Sequence, residues 1–226
     1  NKEIKFYQAS TSEMFGKVKE VPQNEDTGFH PRSPYGVSKL FSHHITINYR
    51  ESYDLFACSG ILFNHESPLR GHEFVTKKII RSLSQIKNGS KQCLKLGNIE
   101  ARRDWGHAKD YIEAMWLMLN NNEPDDYVVS TGITTTIKEF VELTLEKLNF
   151  KFEWTGEGFN NSLIDIERNK KIIEIDENLY RPAEVDLLVG DSNKIRKNLN
   201  WSPIHTIDSL IDDMINFEKH HPNLSF

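Results

Sequence analysis

Apolar and polar positions along this chain fall into two periods, one close to 2 and one close to 3.6, which mark strands and helices in alternation. Ile4-Lys5-Phe6-Tyr7-Gln8-Ala9-Ser10 is a short strand pattern that runs into the polar cluster Thr11-Ser12-Glu13. Residues 14–33 are polar, with Gly16, Pro22, Gly28 and Pro31, and read as a loop over a site at the end of that strand. Val37, Leu40, Phe41, Ile45, Ile47 and Tyr49 then recur at roughly helical spacing and predict a helix from Tyr35 to about Ser52. Ser33 suits its N-cap, and Pro34 its first position, where a missing N–H costs nothing. Leu55 to Phe63 is nearly continuous in apolar residues, which suits a parallel strand buried on both faces and ending at Asn64-His65.

Further along, Glu66 to His72 form a loop, and Phe74, Val75, Ile79, Ile80, Leu83 and Ile86 make a helical stripe closed by Gly89. Lys77, Lys78 and Arg81 ride on that helix, and for Lys77 and Arg81 a solvated basic face is the expectation. Leu94 to Gly97 reads as a strand, and Arg102-Arg103-Asp104-Trp105 leads into a helix that ends before Pro124, its methionines in the core. Tyr127 to Gly132 reads as a strand rejoining the sheet. Thr136-Ile137-Lys138-Glu139 has the spacing of a capping box at the head of a helix reaching Leu148. Phe152 to Trp154 and Lys171 to Ile175 read as strands around a polar segment, followed by the turn Tyr180-Arg181-Pro182-Ala183-Glu184. Asp191 is expected to cap a helix to Leu199, and Thr206 another, striped by Ile207, Leu210, Ile211, Met214 and Phe217.

Composition narrows the classes. The 226 residues suffice for one large domain or two lobes with a sizeable core. A net charge of -5 without a Lys/Arg-rich run argues against nucleic acid as the main partner. Cys58 and Cys93 are too few for a disulfide framework and read as inert small residues. The histidines are scattered, and His43-His44 and His220-His221 lack carboxylate or cysteine companions, so no metal is expected. No signal peptide, membrane-spanning run or repeat is visible, and the expected compartment is cytoplasmic. The 12 glycines are dispersed, without the glycine-rich strand-to-helix turn that opens a dinucleotide fold. The chain therefore reads as the later part of a longer protein, with roughly a hundred residues of βα units expected before it.

Chemistry concentrates in Ser33-Pro34-Tyr35-Gly36-Val37-Ser38-Lys39. Residues four apart share a helix face, so the Lys39 ammonium can lie beside the Tyr35 phenol and favour its ionised form. Tyr35 is then a usable general base. Tyr-x-x-x-Lys alone is weak, since a half-buried aromatic and a solvated lysine share that spacing. Glu13 stands two residues beyond Thr11, so in an extended segment both side chains would point the same way.

In this setting the chain resembles the extended short-chain dehydrogenase/reductase superfamily and, within it, the GDP-mannose 4,6-dehydratases. The resemblance rests on several motifs in order: Gln8-Ala9-Ser10-Thr11-Ser12-Glu13, Pro31-Arg32-Ser33-Pro34-Tyr35, Asn48-Tyr49-Arg50-Glu51, Leu62-Phe63-Asn64-His65-Glu66-Ser67-Pro68, Arg103-Asp104-Trp105-Gly106-His107-Ala108-Lys109-Asp110-Tyr111 and Tyr180-Arg181-Pro182-Ala183-Glu184-Val185. It implies an α/β fold: the C-terminal half of a Rossmann-type doubly wound parallel sheet, mainly residues 1–64 plus the strand near 127–131. A smaller mixed α/β substrate-binding lobe, mainly within 65–226, would interleave with it.

It also implies roles. Tyr35 would take the proton of the sugar C4 hydroxyl as hydride passes to NADP, with Lys39 lowering the tyrosine pKa and holding the nicotinamide ribose. Thr11 would bond the same hydroxyl, and Glu13 would take the C5 proton so that water leaves from C6. His65 and Arg70 match cofactor contacts. Asn64, Lys78, Arg103, Arg181 and Glu184 match contacts to GDP-mannose or a related GDP-sugar, Glu184 on a ribose hydroxyl. For His65 the alternative is a satisfied loop imidazole, and for Arg103 a surface pairing with Asp104 or another neighbour. A homo-oligomer, dimer or tetramer, is implied. Two other functions stay open: an epimerase or reductase of the superfamily, which would not need Glu13, and a non-catalytic binding or assembly module.

Overall fold

The computed structural model describes residues 4–180 and 188–221. In chain order its elements are β1 (Phe6–Thr11), α1 (Pro34–Tyr53), β2 (Ala57–Leu62), β3 (Asn64–Glu66), α2 (Val75–Lys87), β4 (Leu94–Leu96), β5 (Arg102–Arg103), β6 (Trp105–His107), α3 (Ala108–Leu119), β7 (Asp126–Val129), β8 (Thr135–Thr136), α4 (Ile137–Lys147), β9 (Phe152–Thr155), β10 (Ser162–Asp165), β11 (Lys170–Ile175), α5 (Asn193–Leu199) and α6 (Ile207–His220). They form two compact units. Residues 1–65, 103–134 and 185–206 make the first, and residues 66–102, 135–184 and 207–226 the second.

The first unit is built on a three-stranded parallel sheet in the order β1-β2-β7. β2 is buried along its whole length, as its continuous apolar run requires of a central strand. On one side, Cys58 and Leu62 pack with Tyr111, Ala114 and Met118 of α3 and with Ile195 and Trp201. Burial pushes the Cys58 thiol up to about 11, so it is an un-ionised core residue. Elsewhere in the unit, Ile61, Phe63 and Val128 pack with Met14, Phe15 and Leu188. The start of the 14–33 segment, expected as loop, is thus core at Met14 and Phe15.

The segment that follows is tied to Val189, ahead of α5, and to β7. The Gln23 N–H donates to Val189 O at 2.8 Å, its Oε1 accepts from Val189 N at 3.0 Å, and Glu25 Oε1 accepts from Val128 N at 2.7 Å. α5 begins at Asn193 with Ser192 in the cap position, one residue later than expected, although the Asp191 carboxylate does accept from Asn193 N.

The second unit carries a four-stranded sheet, β4-β11-β10-β9, with α2, α4 and α6 packed together. Thr136 and Glu139 close the capping box of α4, each side chain bonding the other's backbone N–H at 2.9 and 2.6 Å. Strand β10, between β9 and β11, lies in the segment read only as polar. Lys77 corrects the expectation of a solvated basic face: it is 1% exposed, and its ammonium pairs with Glu218 of α6 at 2.6 Å and donates to Pro68 O at 2.7 Å. Arg81 is half-buried against His72.

Candidate active site

The site is assembled where β1 ends. β1 is extended through Thr11, and the chain then tightens into a one-turn 3-10 helix, Ser12–Met14, capped by Thr11. The Thr11 hydroxyl accepts from the Glu13 N–H at 3.3 Å. This corrects the geometric premise for Glu13: a 3-10 turn, not an extended strand, sets the relation between the two side chains. Thr11 is 9% exposed and Glu13 half-buried.

The loop after this turn is closed at its neck, where His30 N donates to Met14 O at 3.0 Å and Lys17 N to His30 O at 3.0 Å. Gly16 makes the neck possible: its φ is +53°, and a Cβ there would overlap the His30 carbonyl. Ser33 then caps α1, accepting from Gly36 N at 3.0 Å, with Pro34 in the first turn as expected.

α1 lies against β1 through small and polar residues, and its buried positions are Gly36, His43 and Thr46. A Cβ on Gly36 would meet Glu13 O at 2.8 Å, so glycine lets the first turn of the helix sit on the main chain of the Glu13 turn. One turn on, Lys39 Nζ donates to Ala9 O at 2.9 Å and lies 5.7 Å from the centre of the Tyr35 ring. Another turn on, His43 Nδ1 and Ser10 Oγ bond at 3.0 Å, both residues buried. Near the C-terminal end of α1, Arg50 grips Asp126 of β7 through two bonds, 3.0 and 2.8 Å, and donates to Ala57 O.

Thr11, Glu13, Tyr35 and Lys39 are thus carried by β1, the turn after it and the first two turns of α1, which pack on one another. Tyr35 is 53% exposed there. Gly36 and the Ser10–His43 pair were not singled out from the sequence. The glycine inside Tyr-Gly-Val-Ser-Lys was the available signal for the first. Of the stripe that revealed α1, Val37, Phe41, Ile45 and Tyr49 are exposed, while Leu40 and Ile47 are half-buried, Leu40 against the Met14 and Phe15 cluster.

Two other candidates lie in the same unit just past β2. Asn64 and His65 are on β3, and the His65 ring stacks on Tyr111 with centroids 4.7 Å apart while Nδ1 bonds Phe63 O at 3.0 Å. Arg103 ends β5 and is half-buried. The neighbouring Asp104 carboxylate accepts from Thr131 N, Thr131 Oγ1 and Gly132 N at 3.0, 2.6 and 2.8 Å. Burial raises the Asp104 carboxyl above its usual range, and those donors pull against it.

Arg70 and Lys78 belong to the second unit. Arg70 Nε pairs with Glu66 at 3.0 Å, and its guanidinium lies over the Phe74 ring. Lys78 Nζ donates to Lys95 O at 2.7 Å, and burial lowers its ammonium pKa while Asp176 opposes that shift. Arg181 and Glu184 lie outside the described residues. Among the described residues no cluster of three His, Cys, Asp or Glu could hold a metal ion, and no helix is long and apolar enough to cross a membrane.

A parallel sheet with a Tyr-x-x-x-Lys helix laid against a strand that ends in Thr11, with Glu13 in the turn that follows, defines a Rossmann-type fold of the short-chain dehydrogenase/reductase kind. RMD from Pseudomonas aeruginosa, solved with NADPH, shares it: TM-score 0.78, 22% identity, covering 96% of this chain and 66% of that one. The chain belongs to the GDP-mannose 4,6 dehydratase family, whose model matches residues 1–214. It is 51% identical over 212 residues to the GDP-mannose 4,6 dehydratase of Homo sapiens and 50% identical over 214 residues to that of Dictyostelium discoideum. These matches cover 94% and 95% of this chain and 57% and 60% of those relatives.

Proposed function

We propose that the protein carrying this chain converts GDP-mannose to GDP-4-keto-6-deoxymannose, losing water from C6, with NADP as a resident cofactor. The observation that carries this reading is the packing of α1, which carries Tyr35 and Lys39, on β1 and the turn after it, which carry Thr11 and Glu13, in a chain 51% identical to the human relative. The residues present suit the nicotinamide ribose end of a dinucleotide: Tyr35 is exposed, and Lys39 spends one of its three ammonium donors on Ala9 O. The glycine-rich turn for the pyrophosphate is not in this sequence, so the activity is proposed for a protein that also supplies that turn.

When bound, NADP would supply the hydride chemistry that links C4 and C6. The chain's own residues move the protons. Tyr35 takes the C4 hydroxyl proton, Lys39 favours the phenolate by its charge, and Thr11 orients the hydroxyl. The C4 ketone so formed acidifies the C5 hydrogen, which the Glu13 carboxylate removes; that proton leaves with the C6 hydroxyl as water, and a proton from solvent later restores the C–H bond at C5.

Asn64, Arg103, Lys78, Arg181 and Glu184 are proposed to hold the GDP-sugar, and His65 and Arg70 the cofactor. Cations that can fork onto paired oxygens suit a diphosphate. A cytoplasmic homo-oligomer is proposed as well, the exposed apolar face of Val37, Phe41 and Ile45 supporting self-association. Glu13 favours the dehydratase over a 4-epimerase or a reductase, which need the Tyr/Lys pair but no acidic residue in that place.

The test follows isotopes in the full-length protein. Wild type incubated with GDP-mannose in deuterated water should place deuterium at C5 and carry the C4 hydrogen to C6. Glu13→Gln should still reduce cofactor or build up a 4-keto hexose while making little 6-deoxy product. A Glu13→Gln protein with the wild-type rate of 6-deoxy product would remove Glu13 from the mechanism, and a wild type yielding only an epimer would replace the reading.

A further inference from the structure

Helix α1 has to be held along β1 in one register, because the proposed chemistry divides between them: Tyr35 and Lys39 on the helix, Thr11 at the end of the strand and Glu13 in the turn after it. A helix that slides by one residue moves about 1.5 Å along its axis. Apolar packing opposes such a slide only in part, since the buried positions of α1 are Gly36, His43 and Thr46, Leu40 and Ile47 are half-buried, and Val37, Phe41 and Ile45 are exposed. A buried polar pair opposes it strongly, because a mismatched register leaves both groups unbonded in the interior.

One such pair sits in the right place. Ser10 and His43 are each 3% exposed, and their 3.0 Å bond links a side chain of β1 to a side chain of α1. Ser10 stands between Ala9, whose carbonyl holds Lys39, and Thr11. His43 stands one turn beyond Lys39 and two turns beyond Tyr35, so the bond joins the two halves of the site at adjacent positions of each. We propose that His43, acting through the Ser10 hydroxyl, is a positioning residue that sets the register of α1 on β1 and so places Tyr35 and Lys39 beside Thr11. This rests on the reading of Tyr35 and Lys39 as the proton-transfer pair.

The surroundings of the ring fit a neutral pin. The Phe29 ring meets it edge-on at 5.4 Å. Burial lowers the imidazole pKa, and His44 and Arg50 push the same way, while Asp126 alone opposes them. His43 is therefore neutral at neutral pH and can exchange one hydrogen bond with Ser10 without a buried charge.

The test uses the full-length protein with GDP-mannose and compares Ser10→Ala, His43→Phe, His43→Gln and Tyr35→Phe. Misplacement of about 1 Å costs up to roughly a hundredfold in rate, so Ser10→Ala and His43→Phe should lower kcat about tenfold or more. KM for GDP-mannose should stay within about twofold, since the pair touches no substrate group. A fall in kcat at nearly constant KM separates misplacement of the helix from mere loosening of the fold, which would weaken substrate binding as well. His43→Gln, which can still reach Ser10, should recover most of the rate. Unchanged kcat in both Ser10→Ala and His43→Phe would overturn the proposal. Should His43→Phe fail to fold by circular dichroism, Ser10→Ala decides, since it removes a single oxygen. A Tyr35→Phe enzyme that keeps its turnover would overturn the underlying reading instead, and an inactive Tyr35→Phe beside fully active pin variants would overturn the pin alone.

Discussion

The main-chain oxygen of Glu13 lies 2.8 Å from the place a Cβ on Gly36 would occupy, with Pro31 Cβ 3.1 Å away on another side. Neither neighbour can move cheaply, because one is backbone and the other belongs to the segment that leads into the Ser33 cap. Gly36→Ala should therefore push the first turn of α1 off the Glu13 turn. The expected cost is about 1–3 kcal/mol of stability from overpacking and at least tenfold in kcat from the displaced Tyr35. Gly28, where a Cβ would meet nothing within 4 Å, provides the control. Urea melts and turnover of both variants check this, and a Gly36→Ala enzyme as active as Gly28→Ala would show that the contact does not position the site.

Tyr35→Phe keeps the ring and removes only the proton acceptor. In the full-length protein it should lower turnover of GDP-mannose by about 10²–10⁴-fold, the usual range for loss of a general base. Binding of the GDP-sugar, followed by calorimetry, should stay within a few fold. Near-full turnover would show that another group takes the C4 proton.

Where a feature depends on neighbours in sequence, it was legible from the sequence. The Thr136/Glu139 capping box, the Ser33-Pro34 start of α1 and the continuous apolar run of β2 are all specified within a few residues, and the structure has each of them. β10 was not legible. Its four residues, Ser162 to Asp165, are ordered by pairing with β9 and β11 on either side rather than by a pattern of their own. Lys77 was missed for a related reason: on a helical wheel it joins the basic face with Lys78 and Arg81, and only α6, far along the chain, supplies the Glu218 that lets it be buried.

At the candidate site, residue types and spacing marked Thr11, Glu13, Tyr35 and Lys39. The rule that strand residues two apart share a face did not apply, because the Thr11 hydroxyl accepts the Glu13 N–H and turns the chain into a 3-10 helix. The Ser10–His43 bond was illegible because nothing local links a strand serine to a histidine in the middle of a helix.

The Lys77–Glu218 pair makes an asymmetric prediction. Both side chains are at least 95% buried, at 1% and 5% exposed, so removing one partner leaves an uncompensated charge in the interior. Lys77→Met alone or Glu218→Leu alone should each cost about 3–5 kcal/mol in urea denaturation. The double variant should recover most of that loss and fall near wild type, since two apolar side chains of similar volume replace an ion pair whose desolvation offsets its attraction. A double variant as unstable as the sum of the singles would mean that the ions act independently and the pair is not the unit of stability.

Arg50 and Asp126 make a prediction about pH. Burial alone would raise the Asp126 carboxyl, but the two-bond grip of Arg50 holds it below the usual carboxylate range. As pH falls toward about 4 the unfolded chain takes up the Asp126 proton before the folded chain does. The contribution of the pair is therefore complete above the unfolded value and is lost as pH falls through the lower, folded one. Arg50→Met leaves Asp126 buried without its partner. That should cost about 3 kcal/mol near pH 7 and reverse the sign of the shift, so the variant gains stability relative to wild type as its carboxylate is neutralised. The gap in urea midpoint between wild type and Arg50→Met should consequently be widest near pH 7 and narrow steadily toward pH 4. A gap that stays constant over this range would mean that Asp126 does not carry its charge in the folded protein, and that Arg50 holds α1 to the sheet through Ala57 O alone.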